Sequence, residues 1–350
     1  MMGGSPYESK ILIETLNKSD KYEIFFITRR CVENYPTDGY TLKKISRGDG
    51  TRRFGEFVDA GRLLKILKDL KPDVIYQLVA GAYTGICAYY CKHHDCNMVW
   101  RIQSDRDVSP PRWRFSRIPF LNYIDNKILD YGIANSTNIV AQSELQNKLL
   151  EKYHGRNATE IIPNFHPIPK EEINKVHPIK VVWVANLKNL KRPEIFIKLA
   201  RDLQELSGVE FIMCGKPILK NYEALKSEVD SINNLTYLGE CSQDQVNKLL
   251  AESHIFVNTS LVEGFPHTFM QSWMRKVPVI SLAVNPDGIF DGGNLGYFAR
   301  DSYEKMRDYV VELINDHDLR NKMGEDAQKY ALANYSADVQ VERLVKIFDS

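Results

Sequence analysis

The sequence predicts an α/β chain built from two doubly wound, Rossmann-like domains in tandem, and three observations predict it. Short apolar runs alternate with stretches of helical length almost from end to end. The runs are too apolar for strands with one wet face and suit parallel strands covered by helices on both sides. A proline-rich break, Pro163-Asn164-Phe165-His166-Pro167-Ile168-Pro169, then divides the pattern near its middle, and 350 residues at 43% apolar content are enough for two cores.

In the first half, strands are expected at Tyr22–Thr28, Val74–Leu78, Met98–Gln103, Asn138–Gln142 and Glu160–Pro163. Helices fit between them at Tyr7–Asn17, Phe54–Leu70, Tyr83–His93 and Ser143–Tyr153, the last opened by a capping pair, Ser143 and Gln146. A doubly wound domain normally opens with a strand, whereas here a Gly-Gly turn leads directly into a helix. The first strand of this domain therefore reads as missing. In the second half, strands are expected at Lys180–Ala185, Glu210–Cys214, Leu235–Leu238, Ile255–Asn258, Val277–Leu282 and Gly296–Phe298. They alternate with helices at Pro193–Glu205, Tyr222–Ser231, Gln243–Ala251, Thr268–Arg275, Ser302–Asn315 and Leu319–Tyr335. The division is an N-terminal domain over 1–165, a second over 166–335 and a final helix over 336–350. Ligands of such sheets sit at the carboxyl ends of the strands, here in the cleft expected between domains.

Composition narrows the function. Forty-six basic and 45 acidic residues leave a net charge of +1, so no global charge favours nucleic acid. The halves differ: residues 1–165 carry a net +5 and the rest −4. No stretch approaches the roughly 18 apolar residues of a membrane span, and the first residues lack the charged and apolar regions of a signal peptide. Six cysteines are too few for a disulfide scaffold, and a reduced, cytoplasmic setting is the expectation. Cys87, Cys91, His93, His94 and Cys96 read as core and helix-end residues rather than metal ligands, because no second ligand pair has matching spacing. Neither a Gly-x-Gly-x-x-Gly nor a Gly-x4-Gly-Lys-Ser/Thr motif occurs, which argues against hydride transfer and P-loop hydrolysis.

The most informative segment runs from Asn258-Thr-Ser-Leu-Val-Glu263-Gly-Phe-Pro-His-Thr-Phe-Met-Gln271 to Leu282. It places a carboxylate and a glycine after a strand, and Pro266 in the first turn of the helix that follows, where free N–H groups attract phosphate. His267 and Gln271 lie four apart, so both can face one ligand. Glu263 capping that helix is the plain structural alternative.

This segment resembles the Glu-x7-Glu signature of retaining glycosyltransferase family 4, with Glu263 at the first glutamate and Gln271 at the second. Val181-Val-Trp-Val-Ala-Asn-Leu-Lys-Asn-Leu-Lys191-Arg-Pro-Glu resembles that family's diphosphate-gripping strand and loop. Ile139-Val-Ala-Gln-Ser-Glu-Leu-Gln and Ile161-Ile-Pro-Asn164 resemble the end of its first domain, and Gly3-Gly4 its glycine turn. The C-terminal helix from Ser336 resembles the one that crosses back to the first domain. The resemblance implies the GT-B fold: two doubly wound Rossmann-like domains facing across a cleft.

It also implies roles. Glu263 would bond hydroxyls of the transferred sugar, and Gly264, Phe265 and Pro266 would bring backbone N–H groups to the sugar and diphosphate. His267 and Thr268 would flank them, and Gln271 would bond the ribose. Lys191 would pair with the diphosphate, Lys188 would supply the charge missing at Asn186, Gly3 and Gly4 would turn beside the donor phosphates, and the loop at Lys216 would lie near the donor base. The family's arginine five residues before the diphosphate lysine is replaced by Asn186, and its first-domain histidine by Gln103-Ser104-Asp105, leaving Asp105 as the acceptor-side candidate. No metal cofactor is expected, the donor being a nucleotide-diphosphate sugar.

The expected reaction is transfer of a hexose-type sugar, with retention, to a glycan or lipid-linked acceptor, as in polysaccharide or glycolipid synthesis. Arg112, Trp113 and Arg114 form a basic, aromatic stretch suited to an acceptor at a membrane surface, so a peripheral membrane location is part of the expectation. The rival from another class is a non-catalytic nucleotide-sugar or glycan-binding protein of the same fold. A nucleotide-sugar epimerase ranks last, for want of an acid and base pair around the sugar.

Overall fold

The computed structural model describes residues 4–19, 21–29, 39–46, 55–78, 80–110, 119–219 and 222–350. They fold into two compact units. One comprises Ser5–Asn164 together with Ala337–Ser350, and the other Phe165–Ser336 together with Gly4, the residue before Ser5.

The first unit holds α1 (Gly4–Leu16), β1 (Phe25–Thr28), β2 (Thr41–Lys44), α2 (Gly55–Leu70), β3 (Val74–Leu78), α3 (Ala82–His93), β4 (Asn97–Arg101), α4 (Asp105–Val108), α5 (Pro119–Asn135), β5 (Asn138–Ala141), α6 (Glu144–His154) and β6 (Glu160–Ile161). Strands β3-β4-β5-β6 form one parallel sheet, and β1 pairs with β2 in a separate parallel ribbon. No described strand precedes α1, and Gly4 is already helical.

Three of these elements, β2, α4 and α5, escape the sequence pattern, and for β2 and α5 the physical reason is plain. β2 contributes no buried side chain, so its Thr-Leu-Lys-Lys carries no apolar signal. α5 buries Asn122, Asp125 and Gly132 beside Leu129 and Ile133, a mixed face that hides its helical period. The close crossing of α3 and α5 explains the glycines. A Cβ on Gly132 would stand 2.7 Å from the Gly85 nitrogen, and one on Gly85 would stand 2.4 Å from the Ile128 carbonyl oxygen. Elsewhere the capping expected for α6 is present: the Gln146 amide donates to Ser143 Oγ at 3.2 Å, and Gly155 ends the helix in the left-handed conformation.

The second unit holds β7 (Ile179–Val184), α7 (Pro193–Asp202), β8 (Val209–Cys214), α8 (Tyr222–Asp230), β9 (Leu235–Tyr237), α9 (Gln243–Ala251), β10 (Ile255–Asn258), α10 (His267–Trp273), β11 (Val279–Ser281), β12 (Gly296–Phe298), α11 (Tyr303–Asn315) and α12 (His317–Tyr335). Its sheet is wholly parallel in the order β12-β11-β10-β7-β8-β9. The core splits over the two faces of this sheet. Trp183, Phe196 and Phe211 pack on one side, and Phe256, Phe269 and Trp273 on the other, as strands covered on both faces require.

The last helix, α13 (Ala337–Phe348), belongs to the first unit. Arg343 donates to Glu160 Oε1 at 2.7 Å and to the Ile161 carbonyl at 2.8 Å, and Asn97 donates to the Ile347 carbonyl at 2.8 Å. Among the described residues no helix is long and apolar enough to cross a membrane.

Candidate functional site

In the second sheet the chain order reverses between β7 and β10, the neighbours from which the strand order runs outwards in both directions. Ligands of doubly wound sheets bind at the carboxyl ends of strands at such a point. The loop after β7 therefore has a special position, and its path is tightly fixed. Ala185 donates to the Cys214 carbonyl and Leu187 to the Lys216 carbonyl, at 3.0 and 2.9 Å. Gly215 makes the approach possible: at its φ of 157° an added Cβ would lie 1.7 Å from the Ala185 oxygen. Asn186 Oδ1 accepts from the Lys216 amide at 3.3 Å, while the Lys216 ammonium stands 3.4 Å from Glu240. Lys188 is exposed and precedes a single 3₁₀ turn, Asn189–Lys191. Arg192 adopts a left-handed conformation, and Pro193 starts α7 at the first helical position.

The loop after β10 is sewn onto this turn. The Trp183 indole donates to Thr259 Oγ1 at 2.9 Å, and that hydroxyl donates onward to the Lys191 carbonyl at 2.6 Å. Leu261 donates to the Leu190 carbonyl at 2.9 Å, and Arg192 Nε to the Thr259 carbonyl at 2.7 Å. A second Arg192 nitrogen meets Asp301 at 2.8 Å. The outcome is a direct ion pair between the two residues singled out by sequence, Lys191 Nζ to Glu263 Oε2 at 2.5 Å. Their side chains are 24% and 18% exposed, so both charges remain reachable from solvent. Asn258 holds the other oxygen of Glu263, donating from Nδ2 to Oε1 at 3.0 Å.

The remaining residues of the motif divide between surface and core. Gly264 is exposed, and a Cβ there would meet nothing within 4 Å. Phe265 does not present its ring outwards: it packs against Tyr335 at a centroid distance of 5.0 Å and against Phe269 and Trp273. Pro266 caps α10, and lacking an N–H it cannot donate to a ligand. The expectation of an amide from it fails on its covalent structure, and only Gly264, Phe265 and the helix residues after it carry such donors.

His267 and Thr268 are half-buried at the start of α10. Gln271 is buried and donates to Asn247 Oδ1 at 3.3 Å, so its amide is engaged with α9. One turn on, the buried Arg275 donates to the Gln271 carbonyl at 2.9 Å and binds Glu171 through Nε at 2.8 Å, tying the segment after the proline-rich break to α10. Burial pushes the Glu171 carboxyl up, but its own backbone amide and the Arg275 guanidinium outweigh this and hold it below the ordinary value. His166 is almost wholly buried. Its imidazole is held well below the ordinary value by burial first and then by Arg275 and His267.

Asp105 stands in the first unit, where it opens α4 directly after β4 and accepts from Gln146 Nε2 at 3.2 Å. Gly4 is the first residue of α1. Gly3, Arg112, Trp113 and Arg114 lie outside the described residues. Among the described residues no group of three or more His, Cys, Asp or Glu side chains is placed to hold a metal ion. Cys91 Sγ and Cys96 Sγ approach to 3.0 Å, burial pushes the Cys87 thiol up to about 12, and His93 and His94 bond the Tyr89 and Tyr90 carbonyls. Sequence reasoning missed Arg192, Asn258 and Thr259, each of which fixes the Lys191–Glu263 pair. Their adjacency to Lys191 and to the strand end was the available signal.

The fold is GT-B. The structure of Anabaena HepE in complex with UDP and glucose superposes with a TM-score of 0.71 at 13% identity, covering 100% of this chain and 98% of that one. Staphylococcus aureus TarM, solved with fondaparinux, alpha-GlcNAc-glycerol and UDP, gives 0.63 at 18% identity over 83% of this chain and 59% of that one.

In sequence, residues 165–330 match the family model of the glycosyl transferases group 1. An uncharacterized glycosyltransferase of Methanocaldococcus jannaschii is 22% identical over 81% of this chain and 80% of its own length. The alpha-galactosylglucosyldiacylglycerol synthase of Streptococcus pneumoniae is 24% identical over 55% of this chain and 54% of its own, so the match takes in about half of that protein.

Proposed function

We propose that this chain is a retaining glycosyltransferase that moves a hexose-type sugar from a nucleotide-diphosphate donor to a glycan or lipid-linked acceptor, without a metal. The observation that carries the proposal is the Lys191–Glu263 pair at the reversal of strand order, partly exposed to solvent and fixed through its backbone rather than by burial.

In this reading the donor separates the pair. Lys191 turns to the diphosphate, whose negative charge grows as the bond from the anomeric carbon to the phosphate oxygen breaks. A cation already held there stabilises that charge without reorganisation. Glu263 is released to accept hydrogen bonds from sugar hydroxyls and to face the developing positive charge at the anomeric carbon. Glu263 is the one carboxylate of this loop pair, whereas a double displacement through a glycosyl-enzyme uses two carboxylates roughly 5 Å apart. The route is the same-face substitution that the family resemblance implies: the acceptor oxygen bonds the anomeric carbon on the side the phosphate leaves, and its proton passes to the departing phosphate. The open space around Gly264 supports close approach of the sugar. A UDP-linked hexose is the first donor to try, because HepE and TarM were solved with UDP. The lipid product in the name of the S. pneumoniae relative supports a lipid-linked acceptor and a peripheral membrane location.

The test is thermal unfolding with UDP, GDP, ADP and dTDP, followed by donor turnover. A nucleotide at a hundred times its dissociation constant adds about 2.7 kcal/mol and raises the midpoint by a few degrees. One nucleotide is expected to stabilise the chain, Lys191→Ala to abolish that shift, and the matching nucleotide sugar to be consumed. Binding without any turnover would identify a non-catalytic binder, and no binding at all would remove the reading.

A further inference from the structure

Glu263 is held at both oxygens, and the two holders differ in kind. Lys191, at Oε2, is a flexible cation that the proposed chemistry calls away to the diphosphate. Asn258, at Oε1, is buried at the last position of β10, and its backbone carbonyl accepts from Leu282 at 2.8 Å. The orientation of its amide is dictated by a neighbour. The Ser260 backbone N–H, which can only donate, lies 3.1 Å from Asn258 Oδ1. The amide oxygen therefore faces Ser260, and the NH₂ group has no choice but to face Glu263.

We infer that Asn258 is a positioning residue for Glu263, holding Oε1 in place when Lys191 leaves so that Oε2 is presented to the hydroxyls of the transferred sugar. The inference rests on the donor reading of the site given above. A neutral donor suits this task for a definite reason. An amide fixes the carboxylate without neutralising it, whereas a second cation would compete with the sugar and an anion would drive Glu263 away. Support for a functional group is set by such buried, backbone-locked partners.

The decisive variant is Asn258→Asp, which keeps the acceptor for Ser260 and the shape of the side chain but replaces the donor to Glu263 with a like charge. The probes are UDP with UDP-glucose, and GDP with GDP-mannose as the second pair. Affinity for the nucleoside diphosphate is expected to stay within about twofold, because Asn258 does not touch the diphosphate side, while the added affinity conferred by the sugar is lost. Turnover at neutral pH is expected to fall at least about tenfold. It recovers as the pH is lowered, because a proton shared by the two carboxyls restores a donor to Oε1. Asn258→Ala is expected to lose turnover similarly but without recovery in acid. Wild-type turnover in Asn258→Asp overturns the inference. So does a loss that is equal at all pH values and matched by lost nucleotide affinity, the pattern of a purely structural residue. If the wild-type chain binds neither nucleotide sugar, the donor reading itself has failed and the positioning role falls with it.

Discussion

Two ion pairs of equal length stand at strand ends in the two units, and they are built for opposite purposes. Glu8–Arg101 and Lys191–Glu263 both close to 2.5 Å. Arg101, the last residue of β4, is 0% exposed and its partner 1%. Two of its nitrogens donate to the Ile162 and Pro163 carbonyls at 2.9 and 3.0 Å, and Gln103 reaches the second Glu8 oxygen at 3.2 Å. Every charge there is enclosed and bonded in several directions. Lys191 and Glu263 are about a fifth exposed, and beyond each other, among the described residues, only Glu263 has a further side-chain partner, the Asn258 amide. Distance does not separate a structural pair from an exchangeable one; burial and the number of bonds that must be surrendered together do.

The largest effect comes from breaking the enclosed pair. Arg101→Met leaves Glu8 as a buried charge without its counter-ion and strips two carbonyls of their donor. The unfolding of that unit in urea is expected to lose roughly 3–5 kcal/mol, with much of it regained when Glu8→Leu is added. A loss of less than about 1 kcal/mol would mean that water reaches the pair, and the contrast with Lys191–Glu263 would vanish.

Next comes the open pair, for which the two quantities move apart. Glu263→Gln and Lys191→Ala are each expected to change stability by no more than about 1 kcal/mol, as partly exposed pairs do. Donor turnover should fall by about a hundredfold to a thousandfold, the usual cost of losing a preorganised charge at the reacting centre. Should Lys191→Ala destabilise the second unit as strongly as Arg101→Met does the first, the pair is a fastening of the fold and the donor reading loses its foundation.

The same contrast explains what was readable in the sequence. The second sheet was almost fully legible, because its strands are buried on both faces and announce themselves as apolar runs; Ile255–Asn258 and Gly296–Phe298 match their expected limits. α5 was not, since a helix that buries Asn122, Asp125 and Gly132 has no apolar stripe to read. At the site, Glu263 stands out as a carboxylate beside a glycine after a strand, and Lys191 through the resemblance of its stretch to a diphosphate-gripping loop. Their meeting across 71 intervening positions depends on Trp183, Thr259 and Arg192, whose roles lie in three-dimensional hydrogen bonds and leave no local pattern. Phe265 divides the same way within one residue: its apolar ring goes where burial stabilises it, into the aromatic cluster with Tyr335 and Trp273, and only its backbone N–H is left as a donor beside Glu263.

The smallest expected effect is also the most discriminating between fold and function, because it compares two glycines. Gly215 is demanded by the folded chain: at its φ any side chain would collide with the Ala185 carbonyl. Gly264 is not; a methyl group there projects into open space with no atom within 4 Å. Nothing in the protein itself therefore requires residue 264 to lack a side chain, and the space it leaves beside Glu263 is available to a ligand. Gly264→Ala is expected to leave stability within about 0.5 kcal/mol, and to gain slightly where the lost freedom of the unfolded chain dominates. KM for the donor sugar should nonetheless rise by about tenfold, roughly 1.4 kcal/mol, as the methyl group displaces the sugar from its closest approach. Titrating the nucleoside diphosphate alone isolates the cause. Its affinity should hold in Gly264→Ala if the methyl group meets the sugar, and an equal loss for both ligands would move the crowding to the diphosphate. Unchanged affinity for both would leave the open space beside Glu263 without an occupant, and the donor would have to lie elsewhere along the strand ends.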